Sequence, residues 1–307
     1  MKTTAVTHED FGSSVLAVPP LCRKADLTLN REANLAMVRH IEAGGVTTFL
    51  WGGNANFYNI GLYEYAAVVD QLAEIAAPNT WMIPSVGPEF GRMLDQAAIL
   101  KSRSFPTVMV LPLMFPATVA GVEAGIQRFA DAFGKPVIVY VKNEPYLTPE
   151  AVKRLVDSGI VAGIKYAIVR DDPKQDPYLN KLIDLVDRKY IVSGIGERPA
   201  IIHLRDFQLN GFTSGSVCVG PRGSAQLLQA LKRKDYASAE KLRAPYIPLE
   251  DLRDGYSPIR VLHEAVGLAG IADTGPMLPL LSNVEADLAA QIAPVAKALL
   301  AHDKTVS

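Results

Sequence analysis

Eight short runs of apolar and β-branched residues recur along the chain, and their spacing limits the fold more than any other feature. They are Val15–Leu21, Thr47–Gly53, Trp81–Gly87, Thr107–Pro112, Val137–Lys142, Val161–Ile168, Tyr190–Gly196 and Gly211–Val219. Successive starts lie 21 to 34 residues apart, which leaves room for one helix between each pair. The runs are continuously apolar rather than alternating, as in parallel sheets covered on both faces. Eight strand–helix units in series predict an α/β fold, the (β/α)8 TIM barrel, which typically takes about 250 residues. A doubly wound open sheet is the competing arrangement. It wants a glycine-rich phosphate turn after its first strand, where this chain has Pro19-Pro20.

The intervening segments carry helix signals. Asn30 is placed to cap a helix over Arg31–Ala43, with Leu35, Val38 and Ile41 on one face and Gly44 at its stop. Thr148-Pro149-Glu150 combines a cap, a proline at the first helical position and an acid in the first turn. Val119, Val122, Ile126, Phe129 and Phe133 keep helical spacing, and Arg198–Leu209 and Ser224–Lys234 close the series. Beyond them strand signals stop. Helices are expected around Tyr236–Leu252, Pro258–Leu268 and Val284–His302. The chain therefore divides into a barrel over residues 12–234, which carries the site, and a C-terminal helical extension over residues 235–307 packed on it.

Composition removes several function classes. Of the 307 residues 49% are apolar and 21% charged, which excludes a disordered chain. The 31 basic and 32 acidic residues give a net charge of −1 with no basic run, so nucleic acid has no electrostatic footprint here. No stretch of about 18 uninterrupted apolar residues exists, so no membrane span is expected. Met1–Gly12 is polar and lacks the apolar core of a signal peptide, which makes a cytoplasmic protein the expectation. Cys22 and Cys218 sit among apolar residues as reduced core thiols. His8, His40, His203, His263 and His302 avoid the predicted strand ends and show no metal-ligand spacing, so no metal is expected. No motif implies a cofactor: the chain has no Walker-type loop, and Gly211–Gly223 is read as a tight strand of small residues.

In such a barrel the site lies at the C-terminal ends of the strands. Lys165 stands in Val161-Ala162-Gly163-Ile164-Lys165-Tyr166-Ala167-Ile168, an otherwise apolar run. A lysine inside a barrel bears a desolvation cost and responds with a lowered pKa. A neutral amine is a nucleophile suited to Schiff-base formation with a carbonyl. The alternative is a lysine that snorkels or pairs with a carboxylate. Tyr140 ends the preceding run, about 4.8 Å away across the sheet, where a phenol can carry protons to and from a carbinolamine.

Tyr140 at the end of strand five, with Gly163-Ile164-Lys165 on strand six, resembles the dihydrodipicolinate synthase / N-acetylneuraminate lyase superfamily. The resemblance extends over most of the chain. Gly52-Gly53-Asn54 ends strand two, where that family carries a Gly-Thr-Thr-Gly-Glu motif, and Gly194-Ile195-Gly196 falls at strand seven. Ser257-Pro258-Ile259-Arg260 and Gly275-Pro276-Met277-Leu278-Pro279-Leu280 resemble its C-terminal segment. Phe57-Tyr58 is similar to the paired phenylalanines of its 5-keto-4-deoxyglucarate dehydratase branch. Members are class I aldolases, dehydratases and related lyases that join a lysine to a 2-oxo acid.

The resemblance implies that Lys165 forms the Schiff base, Tyr140 moves protons, and Gly52, Gly53 and Asn54 hold the substrate carboxylate. It also implies a homodimer or homotetramer. Departures argue against a lysine-biosynthetic synthase. The strand-two loop lacks the threonine pair, Leu111–Pro116 lacks the tyrosine lent to a neighbouring subunit, and Val141–Tyr146 lacks the carboxylate-binding arginine. Asn56, Glu197 and Arg198, which follow predicted strands, Lys142, which ends the fifth run, and Ser216, within the eighth run, join the candidates for substrate binding. The expected function is an aldolase or dehydratase acting on a 2-oxo acid of the deoxy-sugar-acid class. The alternatives are a non-catalytic protein of the same fold that binds a 2-oxo or sugar acid, and a barrel with unrelated chemistry in which Lys165 is structural.

Overall fold

The eight apolar runs become eight strands of a closed parallel barrel in the computed structural model, which describes residues 1–306. Ser307, the last residue of the expected extension, lies outside the described residues. The strands are β1 (Leu16–Ala17), β2 (Thr48–Trp51), β3 (Trp81–Val86), β4 (Met109–Val110), β5 (Val137–Val141), β6 (Val161–Tyr166), β7 (Ile191–Ser193) and β8 (Gly211–Ser214). Each pairs in parallel with its neighbours in chain order, and β1 closes on β8 through Leu16–Thr213 and Ala17–Ser214. The strands are shorter than most of the runs that announced them. Burial extends into the βα loops, whereas a ladder ends where either partner turns away. The run Gly211–Val219 changes in kind as well as in length. Pairing stops at Ser214, and Ser216–Cys218 form a 3-10 turn.

The helices are α1 (Asp10–Ser13), α2 (Arg31–Ala43), α3 (Leu62–Ile75), α4 (Phe90–Leu100), α5 (Val119–Phe133), α6 (Pro149–Asp157), α7 (Pro177–Leu185), α8 (Ala200–Arg205), α9 (Pro221–Lys232), α10 (Tyr236–Arg243), α11 (Ile247–Gly255), α12 (Pro258–Leu268) and α13 (Ala286–Asp303). The expected caps form: Asn30 accepts from the Ala33 N–H and Thr148 from the Ala151 N–H, each at 3.2 Å. Three expectations change. Tyr236–Leu252 is two helices, α10 and α11, because Pro245 and Pro248 lack the N–H that a continuous helix needs. Arg198–Leu209 shrinks to α8, bounded by Pro199 before it and by Gln208 at φ 57 after it. The last barrel helix starts at Pro221 rather than Ser224, with proline at its first position. In the extension, α10 and α13 pack against α9, and α12 packs against α13. No helix among the described residues is long and apolar enough to cross a membrane.

Residues paired across a parallel ladder face the same way. The pairs Tyr140–Lys165, Lys165–Val192 and Ile138–Gly163 therefore point their side chains, or the space left by a glycine, into the barrel. Phe11 of α1 closes the opposite end. It is fully buried and meets Trp81 edge-on at 5.2 Å between ring centroids. A Cβ at Gly163 would lie 2.5 Å from Phe11 Cζ. Gly163 and Lys165 share one face of β6, so the glycine makes room for the plug and the lysine stands one layer above it.

Gly163→Ala should lower the unfolding free energy by about 1–3 kcal/mol through overpacking against Phe11, read from denaturant titration. A smaller ring at position 11, as in Phe11→Leu, should recover part of that loss in the double variant.

Candidate active site

Lys165 is 5% exposed, and its Nζ lies 4.4 Å from the centroid of the Tyr140 ring. The two residues are register partners on β6 and β5, so the contact follows from strand pairing. Burial lowers the Lys165 pKa from 10.5 to about 7, and the nearby positive charges of Lys142 and Arg253 act in the same direction. Burial pushes the Tyr140 phenol up to about 12. The amine is thus partly neutral near neutral pH while the phenol keeps its proton, the states needed for a nucleophile and a proton donor. Gly194 accommodates the lysine stem: a Cβ there would lie 2.9 Å from Lys165 Cγ.

Past β2 the chain turns sharply, with the Gly52 carbonyl accepting from the N–H groups of Ala55 and Phe57. Among the described residues no hydrogen bond occupies the N–H groups of Gly53 and Asn54, which leaves two adjacent donors of the kind that cradle an anion. The Asn54 side chain has another task. Its Nδ2 donates to the Val18 carbonyl at 2.8 Å and ties the β2 loop to the β1 loop, so the backbone rather than this amide is the better carboxylate donor.

Four other candidates are placed differently from expectation. Asn56 is buried at φ 55; its Nδ2 donates to the Leu278 carbonyl and its Oδ1 accepts from Asn59 Nδ2 at 2.7 Å, so it pins the loop to the C-terminal segment. Glu197 is fully buried and accepts from Ser214 Oγ at 2.7 Å and Ser224 Oγ at 2.6 Å, so it fastens the loops rather than facing a ligand. Arg198 pairs with Asp251 at 2.5 Å and Asp254 at 3.1 Å, both on α11. The backbone N–H groups ahead of α8 are taken by the protein's own Glu250, which accepts from the Glu197 N–H at 2.9 Å and the Arg198 N–H at 2.7 Å. Burial and the neighbouring Glu197 carboxylate raise the Glu250 pKa well above the usual range. Gly196, at φ +89, permits this approach, since a Cβ there would fall 2.1 Å from Glu250 Oε1. Ser216 is fully buried, and its hydroxyl meets Arg253 Nη1 at 3.4 Å.

Lys142 is exposed at the end of β5 with its charge acting on Lys165. Nearby, Arg170 bridges Glu144 at 2.5 Å and Asp176 at 3.1 Å, so these charges serve loop structure.

Sequence reasoning missed several groups at this mouth. Tyr58 packs on the Gly53 turn, 3.7 Å from where a Cβ would stand, and its phenol feels both Tyr140 and Tyr146. Ser85 Oγ, fully buried beside the space left by Gly52, has no hydrogen-bond partner among the described residues. Arg253 arrives from α11, more than 80 residues after Lys165, and no local pattern announced it. The tyrosines follow runs already identified as strands 2 and 5, a usable signal; Arg253 offered none.

No protein-family model matches the chain. It is 26% identical over 293 residues, 92% of this chain and 88% of the relative, to a probable 5-dehydro-4-deoxyglucarate dehydratase of Streptomyces coelicolor. It is 25% identical over 304 residues, 94% of this chain and 96% of the relative, to a probable 5-dehydro-4-deoxyglucarate dehydratase of Rhizobium rhizogenes. The crystal structure of a dihydrodipicolinate synthase from Bacillus clausii superposes with a TM-score of 0.84 at 21% identity, covering 95% of this chain and 99% of that one.

Lys165 should leave a pH signature in stability. Between pH about 7 and 10.5 the unfolded chain holds a proton on this amine that the folded chain does not, so stability rises with pH in that window. Below about pH 7 both states carry the proton and the folded state bears the full desolvation cost. Lys165→Met should therefore be more stable than wild type in acid and neutral solution. The difference should shrink as pH approaches 10.5, as denaturant titrations across that range would record.

Proposed function

We infer that this chain, a member of the dihydrodipicolinate synthase / N-acetylneuraminate lyase superfamily, is a Schiff-base lyase in which Lys165 is the nucleophile and Tyr140 the proton carrier. One observation carries the assignment of residues: a buried amine with its pKa brought to about 7, held 4.4 Å from the ring of a protonated tyrosine. We propose 5-dehydro-4-deoxyglucarate as the substrate and dehydration as the reaction, on the names of the relatives that align over nearly the whole chain. That compound has a ketone at C5, a methylene at C4, a hydroxyl at C3 and a carboxylate at each end.

The neutral Lys165 amine attacks C5, and Tyr140 protonates the oxygen of the carbinolamine. Loss of that oxygen as water leaves a protonated imine, which draws electrons from the C4–H bond. The Tyr140 phenolate left by the first protonation takes a proton from C4 to give the enamine, then returns it to the C3 hydroxyl, which departs as water. A water molecule hydrolyses the resulting conjugated imine, its released proton returning to Tyr140 and the amine to Lys165. The N–H groups of Gly53 and Asn54 hold the carboxylate next to the ketone. A lysine-biosynthetic activity is disfavoured by the lack of a tyrosine in Leu111–Pro116 and of an arginine in Val141–Tyr146. A homo-oligomer is proposed on the exposed Phe115, 87% accessible, and Met114, 44%, at the edge of an apolar hollow lined by Pro88, Phe90, Val122 and Ile126. The cytoplasm is the proposed compartment, since two unpaired buried thiols suit reducing surroundings.

Borohydride reduction in the presence of pyruvate, followed by peptide mass spectrometry, should attach the acid to Lys165. Lys165→Ala should form no adduct and turn nothing over, and Tyr140→Phe should lose about 100-fold or more in turnover. An active Lys165→Ala enzyme would falsify the mechanism, and stoichiometric binding of sugar acids without turnover would favour the non-catalytic alternative.

A further inference from the structure

The charges around the barrel mouth are unevenly distributed. The acids of α11 are turned elsewhere: Asp251 and Asp254 pair with Arg198, and Glu250 accepts two backbone N–H groups. Arg253, on the same helix, is left with two long contacts to neutral oxygens among the described residues. Its Nε donates to the Pro258 carbonyl at 3.3 Å and its Nη1 to Ser216 Oγ at 3.4 Å. Its guanidinium lies over Gly215, immediately past the C-terminal end of β8, where a Cβ would stand 2.6 Å from Nη2. It is close enough for its charge to act on the Lys165 amine. Among the described residues this half-buried cation has no ion-pair partner, and the one carboxyl on which its charge acts, Glu250, is buried with its pKa raised well above the usual range. Beside a buried amine, that is an arrangement a bound anion would relieve.

We propose that Arg253 determines specificity by receiving the second carboxylate of a dicarboxylic 2-oxo acid whose ketone is engaged by Lys165. This rests on the lysine reading given above. The Gly53 and Asn54 N–H groups at the end of β2 take the carboxylate beside the ketone. Arg253, beyond the end of β8, takes the distal one. A planar guanidinium fits this task because two of its N–H groups can meet both carboxylate oxygens. Lys142, exposed on the β5 side, is the weaker partner because solvent screens it. Gly215 is part of the design, since a side chain there would occupy the space of the guanidinium.

The test compares two acids of equal chain length, 2-oxoadipate and 2-oxohexanoate, which differ only in the distal carboxylate. The half-saturating concentration for borohydride trapping is measured for each in wild type, Arg253→Met and Arg253→Lys. Both acids react with the same lysine, so the ratio cancels any change in the amine. Wild type should prefer 2-oxoadipate. Arg253→Met should lose about 10- to 100-fold of that preference, and Arg253→Lys should retain part of it. Wild type without a preference, or Arg253→Met with the wild-type preference, overturns the proposal alone. Wild type that traps neither acid overturns the lysine reading and this inference with it. Should Arg253→Met fail to fold, Arg253→Lys decides, because an undiminished preference in that variant means the guanidinium fork is not the reader.

Discussion

The cost of placing one ammonium group inside an apolar barrel organises this molecule. Lys165 cannot keep its full charge there cheaply, so its proton affinity falls to about pH 7. Much of the packing around it serves that environment. Phe11 seals the layer below, Gly163 makes space for the seal, and Gly194 makes space for the lysine stem. Tyr140 offers the face of its ring to the amine, the contact its paired strand position allows. Each of these residues is small or aromatic, so none returns to the amine the carboxylate that would hold it charged.

The second constraint is the removal of negative charge from the mouth. Glu197 and Glu250 are buried against each other and against serine hydroxyls and backbone N–H groups. Asp251 and Asp254 are held by Arg198, and Glu144 and Asp176 by Arg170. Asp176 is buried against Arg170, whereas Asp251, Asp254 and Glu144 are exposed, so those pairs direct the acids to a partner while adding little stability. Lys142, Arg253 and Lys165 remain as a positive field, reinforcing the depressed affinity of the amine and suiting an anionic substrate. The buried Glu197–Glu250 pair also joins the β7 loop to α11, the helix that delivers Arg253.

The resemblance in sequence is thin in identity but broad in coverage, and the strand-two loop shows how the two fit together. Where the family carries hydroxyls, the resemblance places Gly53 and Asn54, or Asn54 and Ala55 after a one-residue slip. The loop still offers two unoccupied N–H groups, because carboxylate binding by backbone depends on the turn and not on side chains. Hydroxyls near this mouth come instead from other elements, on Tyr58, Tyr146 and Ser85.

The sequence by itself determined the barrel, its strand order, the helix caps at Asn30 and Thr148, and the juxtaposition of Tyr140 and Lys165 on neighbouring strands. These follow from local patterns: continuous apolar runs, capping residues, and a lysine among residues that cannot solvate it. Tyr140 and Lys165 were legible because strand neighbours in a parallel barrel are neighbours in chain order. The helix breaks at Pro245 and Pro248 are equally local, since each proline lacks the N–H that a continuous helix needs. The roles of Glu197, Arg198, Asn56 and Ser216 were not legible, nor was Arg253. Among their partners, Glu250, Asp251, Asp254, Leu278 and Arg253 lie 37 to 222 residues away in the chain. A charged loop residue reads the same whether it faces a ligand or an acid from a distant helix. Only the packing of the C-terminal extension on the barrel decided which charges were neutralised and which were left to face the site, because electrostatic pairing depends on distance in space, which spacing along the chain does not encode.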